Sequence, residues 1–229
     1  IFACRRVGPT KVRISAIKNE MELASIPSDR IKHCISKLNE FYPDRFVAMP
    51  NILYTGLNYN NLIVHPAGAL LNMGRIEFTK GDYDFYWEGL TPGVCRNIEA
   101  VDEERLAVAE KFGCKLPTFI EINHAYYGHP ERKTIYDFFS VSEVHGGEGP
   151  SAPQNLQHRY ISEDIPFALV AVSALGSAVG VETPTIDALI TVASKANQEE
   201  YRVTGRSLKN LRLDGLNREG IINRIETGK

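Results

Sequence analysis

The stretch NLIVHPAGALLN, residues 61–72, sets His65 directly before a proline in the middle of an otherwise apolar helical pattern. Histidine is the side chain whose ordinary pKa lies nearest neutrality, so it is the natural carrier of a proton in a reaction run at pH 7. A proline at the next position predicts that the helix breaks there or that a new one starts. Asn58, Asn60 and Asn61 precede His65, while Asn72 and the acidic aromatic segment GDYDFYWEGLTP follow it. Short polar groups are costly to bury without partners. Two readings therefore stand open, a satisfied histidine at a helix start and one wall of a binding cleft.

A second polar cluster lies about a hundred residues further on. HRYISEDIP, residues 158–166, puts Arg159, Glu163 and Asp164 in front of the most apolar run of the chain. Asp164 is placed to cap the following helix ahead of Pro166. Alternatively its carboxylate orients an imidazole, and Arg159 takes an anion in its two-pronged guanidinium.

Other motifs lead elsewhere. GEGPSA, residues 147–152, matches the glycine spacing of a dinucleotide loop, but YDFFSVSEVHG before it reads as a helix end and PQNLQH after it as a poor helix. The motif carries meaning only between a strand and a helix, so the pattern predicts a polar loop. His124 and His129 stand five apart and share no helix face as ligands would; neither zinc spacing nor a G-x-S-x-G elbow occurs. No metal is expected.

The elements that must position these residues fall into two blocks. Residues 1–50 carry strand patterns (IFACRRV, KVRISAI after Gly8-Pro9, EMELASIP), an amphipathic helix SDRIKHCISKLNEFYP with Ser28 or Asp29 as its cap, and a last short strand RFVAM. From Asn51 the period is helical, interrupted by the polar loop of residues 143–164 and ending in a helical tail predicted to begin at GRSLKNL. The chain's 229 residues suffice for a substantial core. A formal net charge of −2 gives no general attraction to nucleic acid or an anionic membrane, so small molecules are the expected partners. The longest apolar run, Phe167–Val181, stops short of the roughly 18 to 20 residues needed to cross a bilayer and predicts a buried helix. Cys4, Cys34, Cys95 and Cys114 show no C-x-x-C spacing, which favours reduced thiols and a cytoplasmic location.

Six collinear stretches give these fragments a common source. NILYTGLNYNNLIVHPAGALLNMGRIE, FYWEGLTPGV, EAVDEERLAVAEKFG, HRYISEDIPFALV, GVETPTIDALI and GRSLKNLRLDG together resemble the C-terminal helical domain of the opine dehydrogenases of the octopine/nopaline type. The resemblance implies a mostly α fold: a helical bundle of the kind that ends 6-phosphogluconate dehydrogenase, at residues 51–229. It is preceded, at residues 1–50, by a remnant of a Rossmann-type α/β domain. It also implies that the family's glycine-rich loop and first βαβ units, roughly 100 to 150 residues at ~30 per unit, lie outside this sequence, and that the fragment alone is inactive.

The activity implied is the NAD- or NADP-dependent reductive condensation of an α-keto acid with the amino group of an amino acid. The catalytic pair falls on His65 and Asp164. Arg159 becomes a candidate for a substrate carboxylate or the cofactor pyrophosphate, and Asn61 and Asn72 for amide contacts to substrate or nicotinamide; a homodimer is allowed. Two rivals remain. The same helical domain serves dehydrogenases of simple keto or hydroxy acids, and a chain lacking its cofactor loop could be an interaction or dimerisation module.

Overall fold

The computed structural model of the protein describes residues 1–130, 132–147 and 149–229, the Arg5 side chain aside. β1 (Phe2–Gly8) and β2 (Lys11–Ile17) form an antiparallel hairpin about the Gly8-Pro9 turn. β3 (Met21–Leu23) and β4 (Phe46–Ala48) pair in parallel, Met21 opposite Phe46, with α1 (Ile31–Asn39) as the connection that a parallel pair requires. Neither Ser28 nor Asp29 caps α1. Both lie in a single 3₁₀ turn, Ser28–Arg30, that leads into it, and no side chain caps either segment.

The rest is helical, as the periodicity predicts. α2 (Ile52–Leu57) starts at Asn51, whose side chain accepts the Leu53 N–H at 3.0 Å. α3 (Asn60–Leu70) runs straight through Pro66, where a break was expected. Pro66 lacks the N–H that would bond the Leu62 carbonyl, which in isolation would stop the helix. Packing overrides that preference: every residue from Leu62 to Leu70 is buried, and α3 lies against α5 (Pro92–Lys111), α8 (Arg159–Ser162) and α10 (Pro184–Asn197). A helix apolar all round is a core helix. Its close approach to a neighbouring turn is fixed by Gly68, where a Cβ would meet Phe85 Cζ at 2.8 Å and Leu90 Cδ2 at 2.9 Å.

α4 (Met73–Thr79) precedes α5, and α6 (Phe119–Tyr127) and α7 (Ile135–Phe139) follow it. Then α8 passes without interruption through a π-helical turn, Ile165–Leu169, into α9 (Val170–Val179). The joined run Arg159–Val179 is 21 residues, long and apolar enough to span a bilayer, where the apolar stretch alone had appeared too short. Ile161, Ile165, Leu169, Val170 and Val172 are nevertheless buried in the protein core. The tail differs from expectation. GRSLKNL forms turns between α11 (Tyr201–Thr204) and α12 (Arg218–Thr227), because Arg206 N–H bonds Pro166 O at 2.8 Å and Asn210 Nδ2 donates to the Val203 and Gly205 carbonyls. Side-chain and tertiary bonds of this kind compete directly with the helical ladder.

One buried ion pair ties the α2–α3 junction to the bundle. Arg105, wholly buried on α5, bonds Asp102 at 2.6 Å, the Leu57 carbonyl at 3.1 Å, Asn58 Oδ1 at 3.2 Å and the Pro117 carbonyl at 2.7 Å. Asp102 in turn accepts the Phe119 N–H at the head of α6.

Candidate active site

His65 Nδ1 lies 2.8 Å from Asp164 Oδ2, although 99 residues separate them, and both side chains are nearly sealed from solvent. A carboxylate can only accept, so Nδ1 carries the proton and donates it; this fixes the tautomer and leaves the Nε2 lone pair facing the other way. Nε2 is 3.2 Å from the Tyr86 hydroxyl, which donates to it when the ring is neutral. Tyr160 stacks on the imidazole with ring centroids 3.6 Å apart and planes 16° from parallel. The other oxygen of Asp164 accepts from the Tyr59 hydroxyl at 3.3 Å, which accepts in turn from Asn61 Nδ2 at 2.6 Å.

Asp164 is not a helix cap. Its backbone is already helical because α8 flows into the π-helical turn, so no free N–H group stands beside it to be capped, and its side chain makes no such bond. The carboxylate is thereby left to His65 and Tyr59. Tyr86 comes from a second π-helical turn, Phe85–Gly89, anchored by Asp84, whose carboxylate takes the N–H groups of Tyr86, Trp87 and Gly147. Single π turns of this kind recur at functional sites because each re-aims the side chains around it.

The imidazole opens into a cavity of about 500 Å³ whose walls include Asn61, Tyr86, His145, Arg159, Tyr160 and Lys18. Arg159 is half exposed and 3.7 Å from Glu163, a loose pair on the surface of α8 that leaves its guanidinium available to an anion. Asn61 stands on the wall as expected. Asn72 does not: its Nδ2 is spent on the Gly68 and Gly89 carbonyls, both at 2.9 Å, where it locks the end of α3 to the 85–89 turn. An amide at a helix end finds unpaired carbonyls closer to hand than any ligand. Gly147 and Ala152, the two ends of GEGPSA, lie in the loop between α7 and α8, while Glu148 lies outside the described residues. Tyr59, Tyr86, Tyr160, His145 and Lys18 are the members that sequence reasoning missed, although Tyr86 and Tyr160 stand inside stretches that drew attention.

Burial holds His65 below the ordinary imidazole pKa, the bond to Asp164 and its charge pulling the other way. The resting ring is therefore neutral near pH 7. His145 is pushed down as well, to about 3, by burial first and then by the nearby His129 and His65; it sits among Tyr86, Tyr127, Phe138 and Phe139 with Ser142 Oγ 2.7 Å from its Nδ1. A histidine held neutral in the fold takes up its proton more readily when unfolded. Its contribution to stability is thus complete above the unfolded pKa of 6.5 and is lost as pH falls from there toward 3. Between pH 6.5 and 5 the loss expected from His145 alone is about 1.5 kcal/mol. Urea unfolding across that range should record it, and His145→Gln should flatten the slope by a similar amount; an unchanged slope would place the acid sensitivity elsewhere.

Residues 48–197 match the family model described as NAD/NADP octopine/nopaline dehydrogenase, alpha-helical domain. An opine dehydrogenase of Arthrobacter sp. (strain 1C) is 35% identical over 226 residues, 99% of this chain and 62% of that protein. The protein ocs of Agrobacterium tumefaciens (strain Ach5) is 29% identical over 224 residues, 96% of this chain and 60% of its own length. The chain therefore spans about three fifths of the curated relatives it matches. A solved octopine dehydrogenase with NADH and L-arginine shares the fold at a TM-score of 0.71 and 19% identity, covering 100% of this chain and 63% of that one.

Proposed function

The chain belongs to the octopine/nopaline dehydrogenase family through its alpha-helical domain, and from that premise we propose that the whole protein joins an α-keto acid to the amino group of an amino acid by NADH- or NADPH-dependent reductive condensation. The observation that carries this reading is the His65–Asp164 pair at 2.8 Å, opening beside Arg159 into one cavity.

The chemistry assigns distinct work to each side chain. An amino acid arrives as its ammonium form and must lose a proton before it can attack a carbonyl. Neutral His65 accepts that proton at Nε2, with Tyr86 moving aside or passing it along, and Asp164 stabilises the imidazolium that results. The same proton returns to the carbinolamine hydroxyl, which leaves as water; the carbonyl oxygen and two ammonium hydrogens have then become water and an iminium, with no net proton consumed. A reduced nicotinamide, when bound, supplies the hydride that converts the iminium carbon to the secondary amine. Among the described residues no glycine-rich turn joins a strand to a helix, so no pyrophosphate contact is assigned to them.

Tyr160, stacked on the imidazole, shields it from water and favours its charged form through the ring face. Arg159 takes a substrate carboxylate, which suits its two-pronged guanidinium. Asn61 holds Tyr59 against Asp164 and so keeps the carboxylate aimed at His65.

The assay is oxidation of NADH, and separately of NADPH, by the whole protein with pyruvate alone and with pyruvate plus each amino acid. Turnover that requires both substrates is the expected result. An equal rate with pyruvate alone would replace this reading by reduction of a simple keto acid.

A further inference from the structure

Arg159 is not the only cation on the cavity wall. Lys18, at the end of β2, lines the same space, and its environment is unusual for a lysine. The ammonium rests 3.8 Å above the centre of the Tyr126 ring, is partly buried, and makes no hydrogen bond or ion pair among the described residues. The acidic side chain whose charge acts on it, Glu22, is committed elsewhere: one oxygen accepts from Asn58 Nδ2 at 2.6 Å and the other from the Tyr126 hydroxyl at 2.9 Å. The ammonium thus sits beside the cavity with a ring face as its one partner and no acceptor among the described residues, and burial lowers the lysine pKa, with Glu22 opposing. A half-buried cation left in that condition is costly unless something anionic completes it.

We propose that Lys18 is a second carboxylate-binding residue, so that the cavity holds a ligand with two carboxylates, one on Arg159 and the other on Lys18. The inference rests on the proposed condensation, whose product carries one carboxylate from each substrate on either side of a secondary amine. Two cations on the wall of one cavity, with the imidazole between the carboxylates' shared nitrogen and Asp164, match that ligand in charge and in number. The Tyr126 ring face beneath Lys18 attracts the ammonium and holds it beside the cavity that Lys18 lines.

The test uses the full-length protein and has two readouts. In turnover, Lys18→Met should raise KM for one of the two substrates at least tenfold and leave the other KM and kcat within threefold. Arg159→Gln should raise the KM that Lys18→Met spares, and Lys18→Arg should recover most of the loss, which a merely structural lysine would not allow. In calorimetry, iminodiacetate, the smallest secondary amine flanked by two carboxylates, should bind the parent at least tenfold more tightly than glycine does, and Lys18→Met should erase that margin. Inertness of the parent toward both substrates would sink the condensation reading while the calorimetric arm still decides Lys18. Unchanged iminodiacetate affinity in Lys18→Met, or KM values both within twofold of the parent, would overturn the assignment.

Discussion

His65→Ala in the full-length protein is expected to slow single-turnover reduction by ~10² to 10⁴, equivalent to about 3 to 5 kcal/mol of transition-state stabilisation. The reason is the position of the imidazole: Nδ1 is bonded to a carboxylate that fixes the tautomer, and Nε2 faces the cavity through the Tyr86 hydroxyl. In the proposed condensation, removing the ring removes the group that takes the ammonium proton and returns it to the leaving water. Asp164→Asn should be slow as well, though structurally milder, since an amide oxygen can still accept from Nδ1 but cannot stabilise the imidazolium charge. Burial lowers the His65 pKa, so in the reverse oxidation, where the neutral ring is the base, kcat/KM should hold as pH falls to the ordinary imidazole value and decline only below it. The deciding measurement is stopped-flow reduction at saturating cofactor, keto acid and amino acid. A His65→Ala rate within threefold of the parent would reduce His65 to a well-packed helix residue.

The second large effect concerns stability. Arg105→Met is expected to destabilise the fold by about 3 to 5 kcal/mol, because it strands Asp102 as an uncompensated buried carboxylate and frees the Leu57 and Pro117 carbonyls. Asp102 is also the acceptor for the Phe119 N–H, so α6 loosens together with the α2–α3 junction that carries Asn58. Replacing both members, Arg105→Met with Asp102→Leu, should recover much of the loss, since a buried pair exchanged for apolar groups is often close to neutral. Urea unfolding of the two single variants and the double variant closes the cycle. Additive losses in the double variant would show that the pair is not coupled, and a loss below 1 kcal/mol for Arg105→Met would show that solvent reaches the site.

What the sequence determined by itself is local. Helical periodicity from Asn51 onward, proline and glycine at helix boundaries and the strand patterns before α1 all follow from interactions within a few residues, and the structure has them. The H-P and R-Y-x-x-E-D stretches drew out His65, Arg159 and Asp164 as polar residues set in apolar surroundings, and the family resemblance, not their spacing, joined His65 and Asp164 into a pair.

Tertiary structure alone decided the rest. Whether α3 breaks at Pro66 depends on the energy of burying nine consecutive residues against α5, α8 and α10, which no local propensity contains. Asp164 looked equally like a cap until α8 was seen to run into α9 through a π-helical turn, and a single-turn insertion of that kind leaves no mark in a period of 3.6. The same device at Phe85–Gly89 brings Tyr86 to the imidazole, and Asn72, which reads like a ligand from its neighbours, is absorbed by the carbonyls that this turn and α3 present. Arg105, a charged residue among the many on α5, is wholly buried because the chain folds over it. Each of these outcomes turns on which groups lie within hydrogen-bond reach across tens of residues, and that distance is set by packing, not by position in the chain.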